Sequence, residues 1–223
     1  MTPARARTVH LVVAVVAWAA LLLQLVLVVS GSAVLVEDDP PGLAARIYRF
    51  FAYFTIQSNL LVAIVSTVLA RDPGVDRPVW RPVRLAGLVG IAVTGLVHFF
   101  LLRPLLDLDG ADWVADKLLH MVVSVLAIAA WAWVGPRPRF LVREAAYALC
   151  WPLAWLAWTL VVAQVGGWVP YPFLDADTEG WGSVAVVSVG ITVLFLLLFA
   201  LFGWLDRRLP AAPVSGSTDT SRG

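Results

Sequence analysis

Six apolar runs divide the chain: Val9 to Ser30, Ile47 to Ala70, Arg84 to Leu102, Trp113 to Val134, Ala145 to Val165 and Ser183 to Leu205. Each is long enough, at about 1.5 Å of rise per residue, to cross roughly 30 Å of hydrocarbon as an α-helix. Breakers separate the runs: Pro40-Pro41-Gly42, Asp72-Pro73-Gly74, Asp109-Gly110, Gly135-Pro136, Gly166-Gly167 and the polar stretch from Asp175 to Gly180. The pattern predicts an all-α, polytopic membrane protein: one bundle of six transmembrane helices over residues 1–208, then a tail over 209–223 rich in Pro, Ser, Thr and Gly that reads as disordered. Arg5, Arg7 and the small residues Ser30-Gly31-Ser32-Ala33 give the first run some likeness to a signal peptide. Its apolar stretch from Leu11 to Val29, broken only by Gln24, exceeds the roughly 7–15 residues of such a segment, so a retained helix is expected.

Composition removes the soluble alternative. With 61% hydrophobic and 14% charged residues and a mean hydropathy of +0.86, the chain has too little polar surface to clothe a water-soluble core. The cations then set a direction. Arg5, Arg7, Arg71, Arg77, Arg81, Arg84, Arg137, Arg139, Arg143, Arg207, Arg208 and Arg222 all fall at one side of a six-span path, against Arg46, Arg49, Arg103 and Lys117 at the other. Positive charge is retained inside, so both termini are expected in the cytoplasm of a multi-pass cell-membrane protein. Acids gather on the outer side, from Glu37, Asp38 and Asp39 to Asp175, Asp177 and Glu179. Tryptophans 113, 168 and 181 are expected at the outer interface, and 80, 131, 133 and 204 at the inner one. A net charge of +1 speaks against a nucleic-acid partner, leaving membrane lipids as the expected surroundings. Cys150 stands alone and is expected to serve packing. With no metal-ligand cluster, phosphate loop or dinucleotide fingerprint in the sequence, no cofactor or metal is expected.

Polar residues inside the spans are costly there and are the candidates for function. In the second span Thr55, Ser58 and Asn59 share a face, with Gln57 turned about 200° away from Thr55. In the fourth span Asp116, His120 and Ser124 follow at four-residue steps, with Lys117 beside them; Thr94 and His98 do the same in the third, and the fifth adds Thr159 and Gln164. Counted from the outer ends, Thr55, His120 and Thr159 fall roughly 10 Å deep, with His98 slightly shallower. A threonine hydroxyl needs a neighbouring base to act as a nucleophile, and a histidine base needs an orienting group. Thr55, His120 and Asp116 fit those roles by residue type, with Asn59 a candidate oxyanion donor; the same residues read equally as interhelical glue. His10, near the inner end, is expected to be solvated.

Three segments carry a family resemblance: Phe54-Thr55-Ile56-Gln57-Ser58-Asn59-Leu60-Leu61, Asp116-Lys117-Leu118-Leu119-His120, and Gly167-Trp168-Val169-Pro170-Tyr171-Pro172-Phe173-Leu174-Asp175. Together they resemble bacterial members of the androgen-induced membrane protein family. That resemblance implies a six-helix membrane hydrolase with a catalytic threonine and histidine, at Thr55 and His120 here, whose animal members cleave fatty acid esters of hydroxy fatty acids. The leading expectation is thus a threonine-dependent hydrolase of an amphiphilic lipid ester that opens toward the outer leaflet, with Asp116, Asn59, Ser58 and His98 in support and Tyr171, in its Pro170-Tyr171-Pro172-Phe173 turn, lining or covering the entrance. The alternative is a non-catalytic lipid-binding or transport protein, in which Asp116, His120 and His98 relay protons or orient a head group.

Overall fold

A computed structural model describes residues 2–32, 41–137, 140–166 and 168–210. The tail from 211 onward, the acids Glu37 to Asp39, and Arg139 lie outside the described residues. Within them, six helical segments have the length and apolarity of membrane spans. They are built from α1 (Pro3–Ser30), α3 (Phe54–Arg71), α4 (Trp80–Val97), α5 (Gly110–Lys117) continuing into α6 (Val123–Val134), α7 (Val142–Gly166) and α8 (Ala176–Arg208). The short α2 (Leu43–Ala52) precedes α3 and belongs to no span.

The largest departure from the sequence expectation is at the second span, predicted as one helix from Ile47. Tyr53 adopts an extended backbone (φ −65°, ψ 128°) and divides α2 from α3. A break in a helix leaves carbonyls without their partners in the next turn, and these are met by other groups of the protein. Gln57 Nε2 donates to Phe51 O at 3.0 Å and Trp155 Nε1 donates to Ala52 O at 2.8 Å. Gln57 Oε1 in turn accepts from Trp151 Nε1 at 2.9 Å. Gln57, on the face opposite to Thr55, thus holds the bend closed and ties it to α7.

Two further irregularities surround the histidines. After Val97 the third span runs through a π-helical turn over His98–Leu102 and a tight turn over Arg103–Leu105, and α5 passes into α6 through a π-helical turn over Leu118–Val122. Such wide turns inside helices are associated with functional sites, and nothing in the hydrophobic period announces them.

α4 is the central post: Leu85, Leu88, Val89, Ile91, Ala92 and Val93 are all buried, and it packs on α3, α6, α7 and α8. α1 lies outside this group along α3 and α6, burying Val13, Ala14, Ala17, Ala20 and Leu21 while Leu11, Val15, Leu22 and Val26 face outward. The inward stripe is mostly alanine because small side chains let membrane helices approach closely where no hydrophobic force drives them together. α8, by contrast, keeps Val186, Val189, Val193, Leu197 and Leu201 exposed, as a lipid-facing helix requires.

The two ends of the bundle differ in chemistry. At one end His10 Nε2 donates to Gly135 O at 2.9 Å, Arg137 reaches Trp131 O and Pro210 O, and Phe140 N donates to buried Asp206 at 3.0 Å. Asp76 pairs there with Arg81 and Arg84, at 2.6 and 2.9 Å. His10 is therefore buried, not solvated: it braces the start of α1 against the end of α6. Trp131, expected at an interface, is also buried, edge-on to Phe202. Cys150 is the reverse case, exposed on the outside of α7. At the opposite end Ser32 Oγ donates to Asp112 at 2.6 Å, joining the end of α1 to the start of α5.

Candidate functional site

The bend at Tyr53 shapes the site. It puts Thr55 in the first turn of α3, where backbone amides have no partner within their own helix. The Thr55 amide donates instead to the Tyr171 hydroxyl at 3.3 Å, and the Thr55 hydroxyl lies 3.3 Å from that same oxygen. Tyr171 arrives from the segment between α7 and α8, its ring packed among those of Tyr53, Trp155 and Phe173. Expected to line or cover the entrance, it is buried and lines the cavity as a wall beside Thr55. Enclosure in this aromatic nest pushes the phenol's pKa up, so it stays a hydrogen-bond donor.

His120 completes the link between helices. Its Nε2 lies 3.2 Å from Thr55 Oγ1, and its Nδ1 lies 3.0 Å both from the backbone oxygen of Asp116 and from that residue's Oδ1. Two oxygens at Nδ1 place the ring proton there, which leaves Nε2 to accept from the Thr55 hydroxyl. The polarity then runs one way, from the Tyr171 hydroxyl to Thr55, from Thr55 to His120, and from His120 to Asp116. Asp116 also accepts from Lys117 Nζ at 2.7 Å. Lys117 thereby neutralises the aspartate, and it lies over the Trp113 ring.

His98 stacks on His120, with ring centroids 4.0 Å apart and planes within 15° of parallel. It is 1% exposed, its Nε2 is 3.5 Å from Asp116 Oδ2, and neither ring nitrogen makes a hydrogen bond. The sequence offered no metal cluster, yet His98, Asp116 and His120 bring ligand-type atoms within 4.8 Å of one another. The carboxylate charge is already met by Lys117, and the two rings lie side by side rather than converging on a point. The cluster therefore suits proton sharing better than chelation.

Three supporting residues have settled roles. Ser58 Oγ donates to Phe54 O at 2.8 Å within α3. Asn59 Nδ2 donates to Thr55 O and to Leu119 O, at 2.8 and 3.0 Å, so both of its protons are engaged in joining α3 to the π-helical turn. It cannot serve as an oxyanion donor as expected. Ser124 Oγ lies 2.9 Å from His120 O and 3.0 Å from Ile91 O, fastening the histidine's backbone to α4. Gly95 permits that approach, since a Cβ there would sit 3.1 Å from His120 O. Thr159 is buried but is not among the residues lining the cavities at Thr55, and Gln164 is exposed.

The hydrogen-bonded group forms the floor of a cavity of about 140 Å³. Thr55, His98, His120 and Tyr171 lie at the bottom, Leu102, Leu105, Leu119, Ile56 and Val28 make apolar walls, and Arg46, Arg49 and Ser32 stand at the mouth. Sequence reasoning missed Arg46 and Arg49 as lining residues, because the apolar period runs α2 into the second span and hides a separate helix; it also missed Gln24, a lone polar residue in the apolar run of α1.

No family model and no solved structure matches the chain. Among curated proteins it is similar to the H subunit of the NADH-quinone oxidoreductase of Nitrobacter winogradskyi, 27% identical over 156 residues, or 65% of this chain and 44% of the relative. The corresponding protein of Rhodopseudomonas palustris is 29% identical over 154 residues (64% and 45%), and that of Maricaulis maris 24% over 170 (71% and 46%). The chain spans less than half the length of these relatives. The similarity overturns the expectation of a lipid-ester hydrolase, because the relatives are named as parts of an oxidoreductase; the engaged amide of Asn59 removes the donor that expectation assigned. Six apolar spans, together with the likeness to these bacterial proteins, make this a multi-pass cell-membrane protein with a polar site built at the meeting of α3, α4, the α5–α6 turn and Tyr171.

Proposed function

We propose that this protein binds the carbonyl-bearing head of a membrane amphiphile of the quinone class in the cavity over Thr55, and that His120 and Asp116 govern the proton at that carbonyl. The observation that carries the reading is the Thr55–His120 contact of 3.2 Å on the floor of a cavity with apolar walls. The Thr55 hydroxyl can turn its proton from His120 Nε2 toward a ligand oxygen, which is what a neutral carbonyl head requires, while the apolar walls accept the rest of the molecule. The buried aspartate behind His120 sets which nitrogen carries the proton. The quinone in the relatives' names supports this class of ligand over others of similar shape. The distribution of arginines supports a cavity open to the outer face of the membrane, with both termini in the cytoplasm.

The test is a titration of the purified protein in lipid nanodiscs with a short-tailed benzoquinone, read by quenching of the tryptophans near the site. Wild-type protein should show saturable quenching. Thr55→Val and His120→Ala should each weaken binding about tenfold, the worth of one well-placed buried hydrogen bond. Linear, unsaturable quenching that is the same in all three proteins would rule the reading out.

A further inference from the structure

A second cavity, of about 70 Å³, meets the first at Thr55, Leu102 and Tyr171 but extends in a different direction. It lies among α3, α4, α7 and α8 and is lined mainly by carbon: Val93, Val97, Leu149, Leu156, Ile191 and Phe195. α7 and α8 each pack on α4, and among the described residues their backbones come close to each other at few positions, with this cavity between them. Two neighbouring spans that lean on a common post without closing on one another leave a slot facing the bilayer. Pro152, inside α7 at that level, has no amide proton to give to the helix and borders the slot. Thr94 borders this cavity, and its buried hydroxyl has no hydrogen-bond partner, although a helical threonine ordinarily bonds back to its own preceding turn.

We propose that the slot between α7 and α8 is a lateral portal, and that the second cavity holds the hydrocarbon tail of the amphiphile whose head sits over Thr55, with Tyr171 as the partition between the two. The proposal rests on the reading of the first cavity as a head-group site. A hydrocarbon chain is the occupant the lining fits. Long, flexible and without polar atoms, it arrives from the bilayer, where it already resides, and it has no need to cross the charged mouth at Arg46 and Arg49. Tyr171 is the group that must yield, since its ring stands between the cavities and its hydroxyl holds the Thr55 amide.

Photolabelling of the protein in nanodiscs decides this. The probe is a benzoquinone with a ten-carbon tail ending in a diazirine, and its crosslinks are mapped by peptide mass spectrometry with and without an excess of unlabelled quinone. Competable crosslinks should fall on residues 149–156 and 188–195. Ile191→Trp, which fills the second cavity, should reduce them at least fivefold while leaving saturable quenching by a tail-less benzoquinone intact, which also shows that the variant is folded. Competable crosslinks confined to α1 and α2 would overturn the portal and leave the head-group site standing. Absence of any competable labelling, together with absence of saturable quenching, would bring down both.

Discussion

At the scale of single residues, Gln57 illustrates how much a side chain can carry away from the site. Both ends of its amide are used, one on the broken end of α2 and the other on α7. Gln57→Leu keeps the volume and removes both bonds, leaving Phe51 O and Trp151 Nε1 without these partners. The expected loss is about 1–2 kcal/mol of stability, measured by unfolding in mixed micelles. Adding Trp151→Phe should cost much less than its own single effect, because the donor it removes has already lost its partner. The candidate residues themselves were legible because helical spacing is reliable over one turn. Asp116 and His120 do meet, and Thr55 and Asn59 do share a face. What spacing does not reveal is which donors are already spent. Asn59 looked available on a wheel and is fully engaged in space; His10 looked peripheral and is buried.

At the scale of elements, the six spans were readable because lipid imposes a length and an apolarity that few other constraints imitate. The irregular turns were not readable. The extended Tyr53 and the π-helical turns at His98 and His120 depend on partners from other helices, above all the tryptophans of α7 and the close approach of α4. That approach is tight enough to test. A Cβ on Gly90 would lie 2.8 Å from the ring of Trp151, and that ring cannot slide away easily, being stacked on Phe54 at 4.6 Å and bonded to Gln57. Gly90→Ala should therefore destabilise the protein by about 1–3 kcal/mol despite alanine's better helix propensity, as overpacking does. Unfolding of this variant in mixed micelles checks the sign: a more stable protein would mean that α4 and α7 are less closely packed than described.

At the scale of the molecule, the ends of the bundle are held by different chemistry and should respond differently to solution conditions. The Arg81 and Arg84 guanidiniums beside Asp76 hold its carboxyl below the ordinary carboxylate range. A carboxylate whose folded pKa is depressed stabilises the protein above its unfolded value, near 3.8, and that contribution disappears as the pH falls through the lower folded value. The melting temperature of wild-type protein should thus fall more steeply than that of Asp76→Asn between about pH 5 and pH 3, and the two should converge at the acid end. Orientation is equally accessible. A fluorescent protein fused after Arg208 should fold and fluoresce, and alkaline phosphatase fused in the segment 106–109 should be active, if the arginine-rich end faces the cytoplasm.

The bend at Tyr53 has a mechanical consequence. Because Trp155 grips the last carbonyl of α2 and Trp151 grips Gln57 in the first turns of α3, α7 is tied by rigid rods to the very turn that presents Thr55. A displacement of α7 away from α8 cannot be purely local while those ties hold: it must drag the start of α3 with it. Widening the slot and re-aiming the Thr55 hydroxyl are then a single movement, so a ligand arriving from the side would set its own receptor in position as it enters.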